Sequence, residues 1–287
     1  MITFSQLGNY GRLGNQLFQY AATKSLAIKN NYDLLLPVFK TKNWHGQECL
    51  LDHFSIKEPQ TNSLAVKHLY QEPENSTFSE NFFDLPDSTD LLGFFQDLRY
   101  FEDYLETISA DFKLNDNTQN IATLKFQDYQ KQRRNSKIVS VHVRLGDNCV
   151  NDYYKGTLFE NKHLRYYEEI LDFFGPSHDF LIFTGGTRSI SGQDPKDVES
   201  CRQLFSKPDY NFIFSENNST LVDFGLMLAC DHHAISSLST FSLWVGYLAQ
   251  SDQSKWGQSK KIIAPEDFYL ETEKRNNILY PEAWIKI

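Results

Sequence analysis

An arginine stands between a histidine and an aspartate at the point where a buried strand is expected to end. Residues 138–141 read Ile-Val-Ser-Val, and residues 142–147 read His-Val-Arg-Leu-Gly-Asp. In open α/β sheets, ligands bind at the carboxyl ends of the strands, and the planar guanidinium group of arginine matches a phosphate group. Because side chains alternate along a strand, His142 and Arg144 are expected on the same side. The segment therefore predicts a phosphate-bearing ligand, held by Arg144 at the edge of a sheet.

Simpler explanations of these residues stay open at the level of sequence. An arginine near a strand end is most often half of an ion pair, and Asp147 is a nearby partner for it. A lone histidine such as His142 is most often a core residue. The sequence is therefore compatible with a structural role and with a ligand-binding role for these residues.

A second candidate site is the glycine-rich segment at residues 11–16, Gly-Arg-Leu-Gly-Asn-Gln, between an expected short strand and an expected helix. Glycine lets the backbone approach a ligand closely, and a helix N-terminus offers unpaired N–H groups to an anion. The spacing is neither the G-x-G-x-x-G pattern nor the phosphate loop with its lysine. Asn15 and Gln16 are therefore candidates for a ligand contact or for simple capping of the helix.

A third candidate site combines an acidic residue with a cluster of hydroxyl groups. Residues 237–242 read Ser-Leu-Ser-Thr-Phe-Ser and lie between an expected strand and an expected helix, where hydroxyls suit phosphate oxygens. Residues 220–223 have the spacing of a capping box, which places Asp223 in the first turn of the preceding helix. Capping roles for Asp223 and Ser239 are the simpler alternative.

Alternating strand and helix patterns are expected to position these segments. From residue 138 onward, short buried strand patterns alternate with amphipathic helix patterns, which indicates crossover units and a mainly parallel sheet. The first half begins in the same way, but residues 40–90 show no clear order of elements. Residues 130–137 are polar and largely charged, so the domains are expected at 1–135 and 136–287.

Composition excludes several classes of protein. The net charge of −9 argues against non-specific nucleic-acid binding. There is no apolar run long enough for a membrane span, no signal-peptide pattern, no C-x-x-C pair among the four cysteines and no G-x-S-x-G. No two aspartates stand two residues apart, the pair with which many sugar-nucleotide enzymes hold a divalent cation. A cytoplasmic protein in a bacterium or a virus-infected host is expected, with peripheral attachment to a membrane left open.

The candidate segments together resemble the α-1,2-fucosyltransferases, glycosyltransferase family eleven. Residues 11–21 are similar to G-x-L-G-N-Q-x-F-Q-Y-A, residues 142–147 to H-x-R-R-G-D, and residues 223–244 to D-x-x-L-M-x-x-C-x-H…S-x-F-S-W-W. Residues 93–96 and 262–265 resemble the shorter motifs G-Y-F-Q and V-I-A-P. The matches fall in order along most of the chain, and protein O-fucosyltransferases share a fainter version of them.

The resemblance implies an α/β, GT-B-like fold in which two Rossmann-like parallel-sheet domains face a cleft. The first domain would lie on the acceptor side, and the second would bind the GDP-sugar. The implied reaction is an inverting transfer of L-fucose from GDP-fucose to a hydroxyl of a glycan acceptor, expected to be O2 of a terminal galactose. No metal or other cofactor is implied.

The resemblance also implies roles for single residues. Arg144 would hold the β-phosphate and stabilise the departing diphosphate, while His142 and Asp223 would contact the nucleoside. The diphosphate pocket would be lined by Ser239, Thr240 and Phe241. The first domain would contribute to donor binding through Asn15, which would reach across the cleft, and Gln16. Asp147 is a candidate general base, and an ion-pairing role for it is equally open.

Two positions depart from the family pattern. Leu145 replaces the second arginine of its motif, and Leu243 replaces the first of two tryptophans. Because alternation turns position 145 away from Arg144, a change in packing is expected rather than a loss of activity. The alternative functions are a non-catalytic nucleotide-sugar or glycan-binding protein on the same fold, and a transferase that uses another GDP-deoxysugar.

Overall fold

The structure, a computed structural model, consists of two compact units. The residues that it describes are 1–9, 11–39, 49–73, 77–146, 161–185, 193–251, 260–269 and 276–287. The first unit comprises Met1–Asn115 and Lys274–Pro281, and the second comprises Asp116–Glu273 and Glu282–Ile287. Each unit is built around parallel strands, so the predicted α/β class is confirmed.

The first unit contains, in its described residues, very short strands around one long helix. The strands are β1 (Ile2–Thr3), β2 (Leu36–Pro37), β3 (Gln60–Thr61), β4 (His68–Gln71) and β5 (Thr89–Leu92). The α-helices are α1 (Leu13–Asn30) and α2 (Leu105–Asp111). Short 3-10 helices lie at Leu51–His53, Glu80–Asp84, Leu98–Tyr100 and Glu102–Tyr104. Strands β1, β5 and β4 pair in parallel, as do β2 and β3.

Aromatic packing stabilises the first unit. The rings of Phe82, Phe95 and Tyr100 contact one another with centroid separations of 4.7 to 5.7 Å, and all three side chains are fully buried. Edge-to-face contacts of this kind add to the free energy gained from burying apolar surface. The cluster fixes the segment after β5, which carries one of the motifs recognised in the sequence.

The second unit begins at the helix α3 (Asp116–Gln130), not near residue 135 as expected. This helix packs against the helix Thr220–Ala229 and therefore belongs to the second unit. Its amphipathic pattern is weak, because Thr118 and Ala122 are its only residues that are fully buried. The compact unit therefore includes residues that the composition of the chain suggested were a linker.

A parallel sheet forms the core of the second unit. Its strands are β6 (Ile138–Arg144), β7 (Asp179–Gly185), β8 (Asn211–Phe214), β9 (His232–Ala234), β10 (Ile262–Ala264) and β11 (Ile285–Lys286). The helices that connect them are α4 (Asn161–Phe174), α5 (Pro195–Leu204), α6 (Thr220–Ala229) and α7 (Thr240–Ser251). Within the described residues the strand order is β11-β10-β9-β6-β7-β8, so β6 lies inside the sheet. The predicted alternation of strands and helices in this half of the chain is confirmed.

The helix starts show where local sequence patterns sufficed. Asp194 caps α5 by accepting a hydrogen bond from the backbone N–H of Lys196 at 2.9 Å, as its position before a proline predicts. The predicted capping box of α6 is wrong by one residue, because Ser219 is the N-cap and accepts from the N–H of Val222. Asp223 is consequently not the capping partner, and its carboxyl group is available for another role.

No helix in the parts of the chain listed above combines the length and the apolar character that a membrane span requires.

Candidate functional site

Arg144 is the last residue of β6 and lies at the carboxyl edge of the sheet, as predicted. Its backbone N–H donates to Ser236 Oγ at 3.0 Å. Its Nη1 donates to the carbonyl oxygen of Gly185 at 3.3 Å, and Gly185 is the register partner of Arg144 at the end of β7. The guanidinium group is therefore bonded to the end of β7, and Arg144 is partly exposed.

His142 lies two residues earlier on the same face of β6, buried at 6% exposure. Its ring packs 5.6 Å from the ring of Phe241, which in turn lies 5.4 Å from that of Phe224. Burial, and then the charge of Arg144, lower the pKa of His142 to about 3, so the imidazole is neutral at physiological pH. Nothing in the described part of the chain hydrogen-bonds to its Nδ1, which is itself buried.

Asp223 occupies the first turn of α6, next to the end of β8. Its Oδ1 accepts a hydrogen bond from Ser215 Oγ at 2.6 Å, and Asn218 Nδ2 donates to the same hydroxyl at 2.9 Å. Burial raises the pKa of Asp223 to about 6, although the hydrogen bonds from Ser215 and Asn218 oppose the shift. The carboxyl group therefore titrates close to neutral pH. Sequence reasoning missed both partners, because neither belongs to a recognisable motif.

The helix α7 begins at the predicted hydroxyl cluster. Ser239 is its N-cap, since Ser239 Oγ accepts from the N–H of Ser242 at 3.2 Å. The capping alternative therefore holds for Ser239, whose side chain is buried. Thr240 and Phe241 are the first two helical residues and are partly exposed. The first turn of α7 thus leaves these two residues partly accessible at the positive end of the helix dipole.

The structure brings the candidate residues of the second unit to one edge of its sheet. His142 contacts Phe241 of α7, and Phe241 contacts α6, the helix that carries Asp223. Arg144 bonds to Ser236, whose N–H in turn bonds to α7. Asp147, the candidate general base, lies outside the described residues. Among the residues with described positions, no three His, Cys, Asp or Glu side chains are grouped so that they could hold a metal ion.

The departures from the family pattern are accommodated by packing. Leu145 is buried at 2% exposure in the apolar cluster on the opposite face from Arg144, together with Val141, Val143 and Tyr167. Leu243 is also fully buried, within α7. The alternation of side chains along β6 predicted the position of Leu145.

In the first unit, Asn15 and Gln16 lie in the first turn of α1 and do not cap it. The helix begins at Leu13, and its N-cap residue makes no side-chain capping bond. Asn15 Oδ1 accepts from Gln96 Nε2 at 2.9 Å, and Gln16 Nε2 donates to the carbonyl oxygen of Gly11 at 3.0 Å. Gly11 has a left-handed backbone (φ +84°), and a Cβ there would come within 2.6 Å of Asn15 Cβ. Glycine is therefore required at position 11.

The segment at residues 93–96 meets α1 although about 80 residues separate them in sequence. Gln19 Nε2 donates to the carbonyl oxygen of Gly93 at 3.1 Å. Glu72 Oε2 accepts from the N–H groups of Phe94 and Phe95, both at 2.8 Å. Sequence reasoning missed Glu72, which lies in the region whose elements could not be ordered. Two motifs of the family resemblance therefore form one hydrogen-bonded cluster.

Replacing Glu72 with alanine is expected to destabilise the first unit by about 3 kcal/mol. Two backbone N–H groups would lose a charged acceptor, and Phe95 would keep a left-handed backbone (φ 52°) without that support. Hydrogen exchange of the β5 amides measures the loss. Glu80→Ala is the control, because Glu80 is exposed, and its exchange rates should match those of the unmodified protein. Equal protection in both variants would contradict the assigned role of Glu72.

Known proteins of similar structure define the fold. The fucosyltransferase NodZ from Bradyrhizobium superposes with a TM-score of 0.56 at 12% identity, covering 87% of this chain and 93% of that one. POFUT1 in complex with GDP superposes with a TM-score of 0.51 at 12% identity, covering 92% of this chain and 96% of that one. At this identity the similarity shows the fold, which is the expected GT-B-like fold of glycosyltransferases.

The family follows from the sequence of the whole chain. A profile described as Glycosyl transferase family 11 matches residues 4–286. The chain belongs to this family and is a glycosyltransferase, which confirms the resemblance seen in the motifs. A galactoside α-(1,2)-fucosyltransferase 1 from Ateles belzebuth is 26% identical, over 96% of this chain and 73% of that protein. An α-1,2-colitosyltransferase from Escherichia coli is also 26% identical, over 96% of each chain.

Proposed function

We propose that this glycosyltransferase transfers L-fucose from GDP-fucose to O2 of a terminal galactose in a glycan, with inversion and without a metal ion. The names of the two relatives support the linkage, since both describe α-1,2 transfer. GDP-fucose is a β-glycoside, so direct attack that forms an α-linked product requires inversion at C1. A protein of the same fold was solved with GDP, which supports a guanine nucleotide as the leaving group.

The position of Arg144 is the observation that carries the proposal. As the acceptor hydroxyl attacks C1 of fucose, negative charge builds up on the β-phosphate of the departing GDP. The guanidinium group of Arg144 and the first turn of α7 lie at the same strand end and are fixed before the reaction. Preorganised donors of this kind stabilise the transition state more than the ground state. They supply the positive charge for which other sugar-nucleotide enzymes use a divalent cation.

The remaining residues bind and orient the donor in this proposal. The neutral ring of His142 and the carboxyl group of Asp223 contact the nucleoside, and Thr240 and Phe241 line the diphosphate. Ser239 acts here through its cap of α7. Asn15 and Gln16 belong to the donor-binding set through the cluster that they form in the first unit. Asp147 is proposed as the general base that accepts the proton of the acceptor hydroxyl.

One incubation series tests the reaction. The protein is mixed with GDP-fucose and a panel of galactose-terminated sugars, with EDTA or Mg²⁺, and the products are identified by mass and by the linkage in their NMR spectra. We expect α-1,2-fucosylated product at equal rates with EDTA and with Mg²⁺. Activity that EDTA abolishes would overturn metal independence. GDP binding without any acceptor-dependent release of GDP would indicate the non-catalytic alternative.

A second donor is favoured by the similarity to the colitosyltransferase. Colitose is fucose without its 3-hydroxyl group, so GDP-colitose tests whether the site recognises that hydroxyl. The two donors are compared by kcat/KM with the best acceptor of the panel. We expect GDP-fucose to be preferred. A preference for GDP-colitose would replace the sugar in the proposal and leave the nucleotide, the linkage and the role of Arg144 in place.

The affinity for GDP is expected to increase as the pH rises through about 6. Guanine presents adjacent N–H donors, which an ionised Asp223 accepts better than a protonated one. Since the pKa of Asp223 is about 6, protonation below that value should weaken binding by up to about tenfold per pH unit. Titration calorimetry from pH 5 to pH 8 measures this dependence, and His142 stays neutral throughout that range.

Asp223→Asn provides the control for this pH dependence, because the phosphate of GDP also titrates near pH 6 and does so in both proteins. The difference between the two profiles therefore reports the carboxyl group alone. The variant should bind GDP more weakly at pH 8 and approach the unmodified protein at pH 5. Parallel profiles would show that Asp223 does not accept hydrogen bonds from the base.

A further inference from the structure

Buried hydroxyl groups lie directly beneath the end of β6. Tyr167 of α4 and Ser236, which follows β9, are both buried, at 6% and 1% exposure. The hydroxyl of Tyr167 donates to the carbonyl oxygen of His142 at 3.2 Å and lies 3.4 Å from Ser236 Oγ. Ser236 Oγ accepts the N–H of Arg144 at 3.0 Å. The backbone on either side of Val143 is thus held by two side-chain hydroxyls.

These hydroxyls bond to the backbone of β6 beyond the point where its pairing with β9 ends. The pairing of β6 with β9 stops at Val141 and Ala234, before the level of His142 and Arg144. One arrangement of protons satisfies every contact: Tyr167 donates to the carbonyl of His142, and Ser236 donates to the oxygen of Tyr167 while it accepts from Arg144. Buried polar groups that are all satisfied in this way define one backbone position.

The same chain of contacts continues to the start of α7. The N–H of Ser236 donates to Ser242 Oγ at 3.2 Å. Ser242 Oγ donates to the carbonyl oxygen of Ser239 at 3.2 Å, and the N–H of Ser242 donates to Ser239 Oγ. Ser242 is fully buried. The end of β6 and the first turn of α7 are therefore joined through buried side chains.

We infer that Tyr167 and Ser236 are positioning residues, which hold the guanidinium group of Arg144 in register with the N-terminus of α7 so that both meet the same diphosphate. The inference rests on the proposed function, in which these two groups stabilise the leaving GDP. Both side chains are buried. Each acts through the backbone of β6, and displacement of a catalytic group by a fraction of an ångström lowers the rate of the chemical step.

Tyr167→Phe and Ser236→Ala test this inference with GDP-fucose and a galactose-terminated acceptor. Each variant is expected to lower kcat by about tenfold, with the KM of the acceptor unchanged, because the lost orientation matters most in the transition state. The double variant should be little worse than either single one, since the two hydroxyls act as one unit. Tyr167→Phe keeps the aromatic ring, so it tests the inference even if Ser236→Ala does not fold.

Ser140→Ala is the matched control. Ser140 lies in the same strand, is fully buried, and hydrogen-bonds His233 Nδ1 at 2.8 Å. Its removal costs a comparable buried hydrogen bond away from the end of the strand, so the protein should lose stability and keep its kcat. An equal fall of kcat in Ser140→Ala would show general destabilisation and overturn the inference.

The Arg144→Ala background separates this inference from the proposed function. If Tyr167 and Ser236 act through Arg144, their replacement should not lower the residual kcat of Arg144→Ala any further. A full additional loss in that background, or unmodified kcat in both single variants, would overturn the inference while the role of Arg144 stands. If Arg144→Ala itself keeps full activity, the proposed function fails first.

Discussion

Replacement of Arg144 by alanine is expected to lower kcat by about 10²–10³, the loss that follows removal of one preorganised charge-stabilising donor in other enzymes. The side chain lies at the end of β6, where its Nη1 donates to the carbonyl oxygen of Gly185. The helix α7 begins at the same edge of the sheet. The backbone bond from Arg144 to Ser236 does not depend on the side chain. The variant should therefore fold normally and lose mainly the chemical step.

Arg144→Lys distinguishes charge from geometry. A lysine keeps the positive charge but cannot donate two parallel hydrogen bonds to one phosphate, so it should restore little of the lost kcat. Arg165→Ala is the matched control, because Arg165 is exposed on α4, where it pairs with Glu169. Steady-state kinetics with GDP-fucose measure all three variants. Near-normal turnover of Arg144→Ala would refute the role assigned to this residue.

The centre of the second unit could be predicted well because β6 and β7 are long, with seven residues each. Strand β6 contains seven residues, six of them buried in succession, which gives the apolar run expected of a central parallel strand. Alternation along such a strand placed His142 and Arg144 on one face and Leu145 on the other. The chemistry at the end of β6 could therefore be located from the sequence, since strand ends in parallel sheets are where ligands bind.

The parts that sequence reasoning missed depend on contacts between distant residues. Tyr167 and Ser236 are 69 positions apart, and neither stands in a pattern that distinguishes it from an ordinary core or loop residue. Glu72 is similar, because its partners are backbone N–H groups, which carry no sequence signal. Strand β4, which precedes it, has four residues that are mostly exposed, so no apolar pattern marks the strand.

The capping of α6 shows a finer limit of local patterns. Ser219 and Thr220 are adjacent and are both good N-cap residues, so the sequence alone does not choose between them. The structure selects Ser219, which shifts Asp223 one position beyond the capping partner. Asp223 is therefore not a helix cap, and its carboxyl group instead accepts a hydrogen bond from Ser215 and has a raised pKa.

Asp179 is expected to give the largest loss of stability on replacement, about 3–5 kcal/mol for Asp179→Ala. The residue starts β7 and its side chain is fully buried. Its carboxylate accepts hydrogen bonds from the N–H groups of Arg134 and Asn135 at 3.0 and 3.1 Å, and from Asn135 Nδ2 and Asn211 Nδ2 at 2.9 and 3.0 Å. Alanine would leave these donors without their acceptor inside the protein.

Because the chain forms two compact units, the loss is best measured locally, by hydrogen exchange of the β7 amides rather than by a single unfolding curve. Protection of the β7 amides in Asp179→Asn should lie between that in Asp179→Ala and that in the unmodified protein. The asparagine amide keeps one acceptor oxygen but turns an NH₂ group towards the donors. Asp128→Ala removes an exposed carboxylate that pairs with Lys131 on the surface and should leave the exchange rates unchanged. If the β7 amides were protected equally in Asp179→Ala and Asp128→Ala, apolar packing alone would hold α3 to the sheet. The buried carboxylate would then have no measurable part in that connection.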